Sequence, residues 1–329
     1  MGVSLSLFQD IIPGSSLEQT SPILDPVFNV GGINTRRVEP RNAPTVINAV
    51  FNFANFWDGR ANNIFNGVNP FGPADMNARI WEKNGNGVLE SVLTVGLNNS
   101  SLASQAVGPP GSEFEMSARN RPFPKIGKKM LSLRPLAKQK VSPTDSVLGS
   151  MAALDKGLAV TVSYSQLIQQ AFNPKYWDST DIIVFTNGVP AVLPNPSRPL
   201  TTDEFTQMEA NFSLFFGLAV QLYEATLVSD ETPFDRFAAG DNNALTQQQL
   251  GGLEIFLNQG KCINCHLGAE FTSASVSNAR FLDNARHALF ETVAQVQTTV
   301  IYDEGYYNVG LGRPPKTWAG AVPPPSLTR

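Results

Sequence analysis

The chain has 329 residues, 42% of them hydrophobic and 16% charged, which is the balance of a folded globular protein and not of a disordered one. That length suffices for two domains of ordinary size, each with its own core. A formal net charge of -4 leaves no basic footprint for nucleic acid or a membrane surface, and no apolar run approaches a membrane span.

The first residues, MGVSLSLFQDIIPGSS, have neither the basic region nor the long apolar segment of a secretory leader. Residues 1–40 are punctuated by Pro and Gly. Thr45 to Phe53 reads as a short helix that stops near the turn at Asp58-Gly59. Residues 68–100 are rich in Asn and Gly and read as an irregular surface insertion; residues 108–125 are again loop-like. Helices are expected around 144–156 and around 163–173, the second with Leu167, Ile168, Ala171 and Phe172 on one face. Four prolines between 186 and 200 mark a linker. A long helix should follow, capped by Thr202, with Asp203 and Glu204 in its first turn. Phe205, Met208, Phe212, Phe215, Phe216 and Ala219 recur at three- and four-residue steps along it, the pattern of a heavily aromatic core face. The next helix opens at Thr246, with Gln249 completing a capping box, turns Leu250, Leu253 and Phe256 inward, and stops at Gly260. Strand signals are sparse, so the expected fold is mainly α with long loops.

That last helix runs into Cys262-Ile263-Asn264-Cys265-His266, which reads C-x-x-C-H, the attachment pattern of a c-type haem. The two thiols would add to the haem vinyl groups and the imidazole would bind the iron as proximal ligand. The alternatives are a disulfide or half a zinc site. Both cysteines of the chain lie in this pentapeptide and the only other histidine is His287, so zinc would have to take carboxylates as further ligands. His287 itself, in FLDNARHALFE, reads as a helix-surface residue.

Several blocks, in order, carry a resemblance: RNAPTVINAVFN, FWDGRA (56–61), QAVGPPGSEFEM (105–116), TPFDRFAAGDNNALTQQQLGGLEIF leading into KCINCHLGAEFT, then YDEGYYNVGLG and PPPSLTR. From about residue 30 onward the chain resembles the bacterial di-haem cytochrome c peroxidases, including their MauG-like, tryptophan-modifying branch. The resemblance implies two cytochrome c-like haem domains. The N-terminal, peroxidatic one would occupy 1–198, incomplete and with an insertion near 62–104; the C-terminal, electron-transfer one would occupy 199–329, truncated at its end. It makes the C-x-x-C-H the second, electron-inlet haem. No Cys precedes RNAPT to hold the first haem, and the sixth ligand of the second would lie past Arg329, so a fragment of a longer chain is expected. Such a chain would bind one covalent haem c, of two in the complete protein, and would not turn over peroxide alone.

Residue by residue, the resemblance implies that Trp57 lies between the two haems as an electron route, with Arg60 pairing with a haem propionate; a core Trp is the plain alternative. Glu115 would be the acid/base carboxylate and Gln105 the amide that orients peroxide or water, although Glu113 stands where the family usually has Pro. Asn42, with the backbone oxygens of Pro323 and Pro325, would hold an inter-domain calcium; otherwise Asn42 caps a helix near Pro44. The loop VFNVGGINTRRVEP has no counterpart of the detachable His of the classical enzymes, so the peroxidatic haem would need no reductive activation. The implied partners are hydrogen peroxide and a small electron-donor protein such as a cytochrome c or cupredoxin, with no nucleic acid and no membrane span; a homodimer is compatible. Haem attachment places the protein in the bacterial periplasm, its leader peptide not present in this chain. The competing readings are an electron-transfer cytochrome without peroxidase activity and a side-chain oxidase.

Overall fold

A computed structural model describes residues 2–39, 43–93 and 96–278, and the backbone of 290–295 and 298–303. Helix accounts for 29% and strand for 17% of the structure, so the fold is a mixture of helices and small sheets and not the mainly α fold expected from the sequence. The strands that were not foreseen form hairpins, and turn chemistry explains them. β1 (Ser6–Ile11) pairs antiparallel with β2 (Glu18–Pro22), and β3 (Asn29–Val30) with β4 (Ile33–Asn34) across Gly31-Gly32, both at positive φ. β5 (Arg79–Lys83) pairs with β6 (Leu89–Leu93). The Asn84 side chain accepts from the amides of Asn86 and Val88, and Gly87 takes a φ of +82°, so the Asn/Gly run that suggests an irregular loop is a hairpin turn.

α1 (Ser101–Ala106) and α2 (Phe123–Leu131) follow. Only a 3₁₀ turn at Gly149–Met151 forms where a helix over 144–156 is expected, because the Asp145 carboxylate takes the amides of Val147 and Leu148 and holds a turn instead. The Thr45–Phe53 helix likewise reduces to a 3₁₀ turn, Ala49–Phe51. α3 (Tyr164–Ala171) begins at a Ser163–Gln166 capping box inside the expected range. The supposed linker opens with a fourth hairpin: β7 (Ile182–Thr186) turns at Asn187-Gly188, both at positive φ, into β8 (Val189–Leu193). β9 (Glu204–Thr206) joins the other edge of β7.

The aromatic helix therefore starts later than its sequence suggests. Thr202 donates to Asp10 and caps nothing; Thr206, in a box with Glu209, caps α4 (Gln207–Ala210). Asn211 breaks the helix before α5 (Phe212–Glu224). Its amide donates to the carbonyls of Trp81 (2.7 Å) and Tyr176 (2.8 Å) and accepts from the Trp81 amide (2.8 Å), while Gln207 donates to Trp81 and Lys175. Two buried amides thus supply β5 with hydrogen bonds that a neighbouring strand would otherwise give. Phe65, Ile80, Ala103, Phe212, Leu214 and Phe215 close the core, so part of the expected surface insertion is interior. Gly217 permits this closure: a Cβ there would lie 2.8 Å from the Phe65 ring and 3.0 Å from the Ala103 carbonyl.

Beyond α5 lie α6 (Pro233–Ala238) and α7 (Gln247–Glu254), each opened by a capping box, Thr232–Asp235 and Thr246–Gln249. β10 (Phe290–Gln295) and β11 (Thr298–Asp303) form an antiparallel pair. No helix among the described residues is long and apolar enough to cross a membrane.

Candidate functional site

α7 continues through one wider turn, Ile255–Gln259, and ends at Gly260. A Cβ at Gly260 would stand 2.9 Å from the Ile255 carbonyl and 3.1 Å from the Cys262 sulfur, so the chain can turn into the pentapeptide only where that carbon is missing. Lys261 adopts the left-handed conformation, and Cys262–Asn264 forms a 3₁₀ turn closed by the Cys265 and His266 amides on the Cys262 carbonyl. Both thiols are free and exposed.

His266 is oriented by the segment that follows it. Its Nδ1 lies 3.0 Å from the carbonyl oxygen of Phe271. A carbonyl can only accept, so Nδ1 carries the proton and the Nε2 lone pair is left for a metal. Phe271 reaches this position with φ at 54°, a left-handed geometry that costs a β-carbon residue about 1–2 kcal/mol. Its ring is held edge-on by Phe234 (centroids 5.0 Å apart) and Phe256 (5.9 Å), and Phe256 also packs toward the imidazole at 6.4 Å. Phe271 and Phe234 are positioning residues that sequence reasoning did not single out; the only hint was an aromatic residue shortly after the C-x-x-C-H. Leu250, Leu253 and Phe256, expected to face inward, are only half-buried, and no residue of α7 is buried.

The donor set of two exposed thiols and one tautomerically fixed imidazole, beside an incompletely covered apolar face, fits a covalently attached haem. Among the described residues no group of three His, Cys, Asp or Glu side chains is placed to hold a metal ion.

The Trp57 loop is fastened to this unit. The Phe53 amide donates to the Ala274 carbonyl (2.8 Å), and Asn52 and Ser275 form an antiparallel bridge. A cavity of about 170 Å³ separates Asn52, Phe56 and Trp57 on one wall from Thr272 and Ala274 on the other. Trp57 is 57% exposed, which argues against a plain core Trp. Phe56 takes φ 64° at the turn closed by the Gly59 amide. Arg60 donates to Asp58 (3.2 Å) and lies 4.6 Å over the Phe56 ring.

On its other side the same loop meets the Gln105 turn: a Cβ at Gly108 would fall 3.2 Å from the Phe56 ring. Gln105 is half-buried in the last turn of α1. The amides of Glu115, Met116 and Ser117 all converge on the Ser112 carbonyl, at 3.1, 3.1 and 2.9 Å. Within this turn the two glutamates differ. Glu113 is bound by Arg37 (2.7 Å) and doubly by Arg119, and its carboxyl is held below the usual range, chiefly by Arg119 and further by Arg37, against the cost of burial. The Glu115 carboxylate is half-buried and takes no hydrogen bond from the described residues; none joins it to Gln105. Asn42, His287, Pro323 and Pro325 lie outside the described residues.

A family model described as di-haem cytochrome c peroxidase matches residues 20–243. The chain is 26% identical over 229 residues to cytochrome c551 peroxidase of Pseudomonas aeruginosa, covering 70% of this chain and 37% of that protein. It is 24% identical over 249 residues to cytochrome c peroxidase Ccp of Escherichia coli, covering 73% and 31% respectively. A shorter match, 34% over 77 residues, joins it to methylamine utilization protein MauG of Methylorubrum extorquens, covering 23% of this chain and 22% of that protein. The chain thus spans about a third or less of the length of these curated relatives. No solved structure matches it.

Proposed function

The chain belongs to the di-haem cytochrome c peroxidase family, and from that premise we propose that it serves the reduction of hydrogen peroxide to water, with electrons entering on the side of Cys262–His266 from a small donor protein such as a cytochrome c or cupredoxin. The observation that carries this reading is the Trp57 loop, which is bonded to the segment after His266 through Ala274 and packs through Phe56 on the turn after Gln105. One loop thus touches both the place where a redox group would attach and the place where proton chemistry would occur.

Haem held at this site would supply one-electron redox chemistry. Cys262 and Cys265 would anchor it through thioethers, and His266 would offer Nε2 while Nδ1–H stays on the Phe271 carbonyl. Trp57 presents a polarisable ring across the cavity, and Arg60 supplies a cation for a propionate. Glu115 is the carboxylate free to take a proton at its Oε atoms and return it, since Glu113 is saturated by arginines. Gln105 orients the water or peroxide beside it. The same reading includes an N-terminal peroxidatic and a C-terminal electron-transfer domain, a calcium held by Asn42 with the carbonyls of Pro323 and Pro325, and a periplasmic location, since haem attachment to C-x-x-C-H takes place there.

The reading is tested in the protein expressed from its complete reading frame and loaded with haem. Glu115→Gln should lower kcat for peroxide by roughly a hundredfold; turnover equal to wild type would sink the assignment. The 329-residue chain should carry one haem by pyridine haemochrome and mass. The second reading is an electron-transfer c-type cytochrome without peroxidase activity. A protein that accepts electrons but reduces no peroxide would establish it.

A further inference from the structure

Arg37 is the most deeply placed arginine of the described residues, 5% exposed, and the reading above gives it no role. Its Nε donates to Asp25 (2.5 Å), its Nη1 donates to Glu113 (2.7 Å), and its guanidinium lies 4.3 Å over the ring of Phe114. Asp25, 1% exposed, is fixed in turn by the amides of Val27 and Phe28, which start the β3–β4 hairpin. From the other side Arg119 grips Glu113, while its own backbone is bonded in both directions to β1: its amide to the Ser6 carbonyl and its carbonyl to the Phe8 amide. Two cations and two carboxylates therefore close a neutral cluster around residues 113 and 114, immediately before Glu115.

Burying an arginine against two carboxylates contributes little net stability, because desolvation offsets most of the attraction. Such a cluster does select one geometry, since a guanidinium fork satisfies both carboxylates only in a single arrangement. The segment it fixes is a short turn, held otherwise by three amides on the Ser112 carbonyl, by the Phe114 amide on Ser112 Oγ and by Arg121 on the Met116 carbonyl. Proton transfer at a bound oxidant depends steeply on placement, so a carboxylate on such a turn needs an external restraint. We propose that Arg37 is a positioning residue for Glu115: through Glu113 and Phe114 it ties the acid/base turn to the β3–β4 hairpin and, with Arg119, to β1, fixing the backbone at Glu115 while no hydrogen bond from the described residues engages its carboxylate. The proposal rests on the assignment of Glu115 as the proton carrier.

Two variants test it. Arg37→Gln removes both arms of the fork. Glu113→Gln leaves the Asp25–Arg37 pair intact and weakens the ionic links of Arg37 and Arg119 to the turn, so together with Arg37→Gln, which spares Arg119, it answers the question even if the first variant folds poorly. In the 329-residue chain, amide exchange at Glu115, Met116 and Ser117 should quicken about tenfold in Glu113→Gln while amides of α5 keep their wild-type rates. In the haem-loaded protein from the complete reading frame, kcat for peroxide should fall about tenfold with KM nearly unchanged, the mark of lost transition-state placement and not of lost binding. Unchanged exchange at the three amides, a uniform rise that includes α5, or faster local exchange with unaltered kcat would each overturn the proposal. Wild-type protein that reduces no peroxide would remove the peroxidase reading instead, and the three amides would then decide alone whether Arg37 sets the turn.

Discussion

The core between β5, α1 and α5 is closed by the chain's own side chains, whereas the unit that carries Cys262–His266 is not. In the first, Phe65, Ile80 and Phe215 are fully covered, and Asn211 and Gln207 satisfy the backbone of β5 from within. In the second, α7 buries no residue, both thiols face outward, and the order comes from capping boxes, the Phe234–Phe271–Phe256 ring cluster and one imidazole–carbonyl bond. The first region thus has a closed hydrophobic core, whereas the described residues leave the apolar side of α7 only half-covered. If the proposed haem is held there, its attachment would also be a folding event.

The largest effect should come from removing that attachment. Cys262→Ser with Cys265→Ser should abolish covalent haem staining and leave the α7 amides exchanging nearly as in an unfolded chain, while α5 stays protected; equal protection of α7 in both forms would erase the contrast. Next, Phe65→Ala should destabilise the core by about 3–5 kcal/mol in urea titrations, because the cavity cannot collapse between α1 and α5, and haem attachment at Cys262 should survive wherever the core still folds. Third, Thr246→Ala removes the cap of α7 and should cost that helix about 1 kcal/mol; the cost should be larger in the apo form, where α7 buries no residue, and a cost equal in both forms would show that the haem adds no local support.

The smallest effect concerns acid. The Asp25 carboxyl is lowered from its ordinary 3.8 to about 2, chiefly by the Phe28 amide, then by Arg37 and the Val27 amide against the cost of burial. A group whose folded pKa is depressed stabilises above its unfolded value and loses that contribution as pH falls through the folded one. Wild-type stability should therefore decline between about pH 4 and pH 2. Asp25→Asn should be less stable at neutral pH and show a shallower decline in that window, read by urea midpoints; a parallel decline would place the acid-sensitive groups elsewhere.

Much of the haem unit was legible in the sequence because its signals are local. Thr246 and Gln249 form the foreseen capping box, Gly260 ends the helix, and Cys262 to His266 keep a spacing that chemistry dictates. The mainly α expectation failed where composition was read in place of turn chemistry. Asn187-Gly188 and Gly31-Gly32 sit at positive φ between paired strands, yet as composition they resemble linker and loop. The misplaced start of the aromatic helix has another cause: Thr206 has the T-x-x-E box with Glu209 that Thr202 lacks, and Thr202 is spent on Asp10, 192 positions away.

The sequence by itself determined what group this protein can attach and which family it belongs to, because thiol spacing and short motifs act over a few residues. The tertiary structure decided which glutamate is paired. Glu113 and Glu115 are two residues apart in the same turn. Arg37, 76 positions away, and Arg119, six positions on, converge on the first, and no hydrogen bond from the described residues reaches the carboxylate of the second; the pairing with Arg37 is a long-range contact that local sequence does not encode.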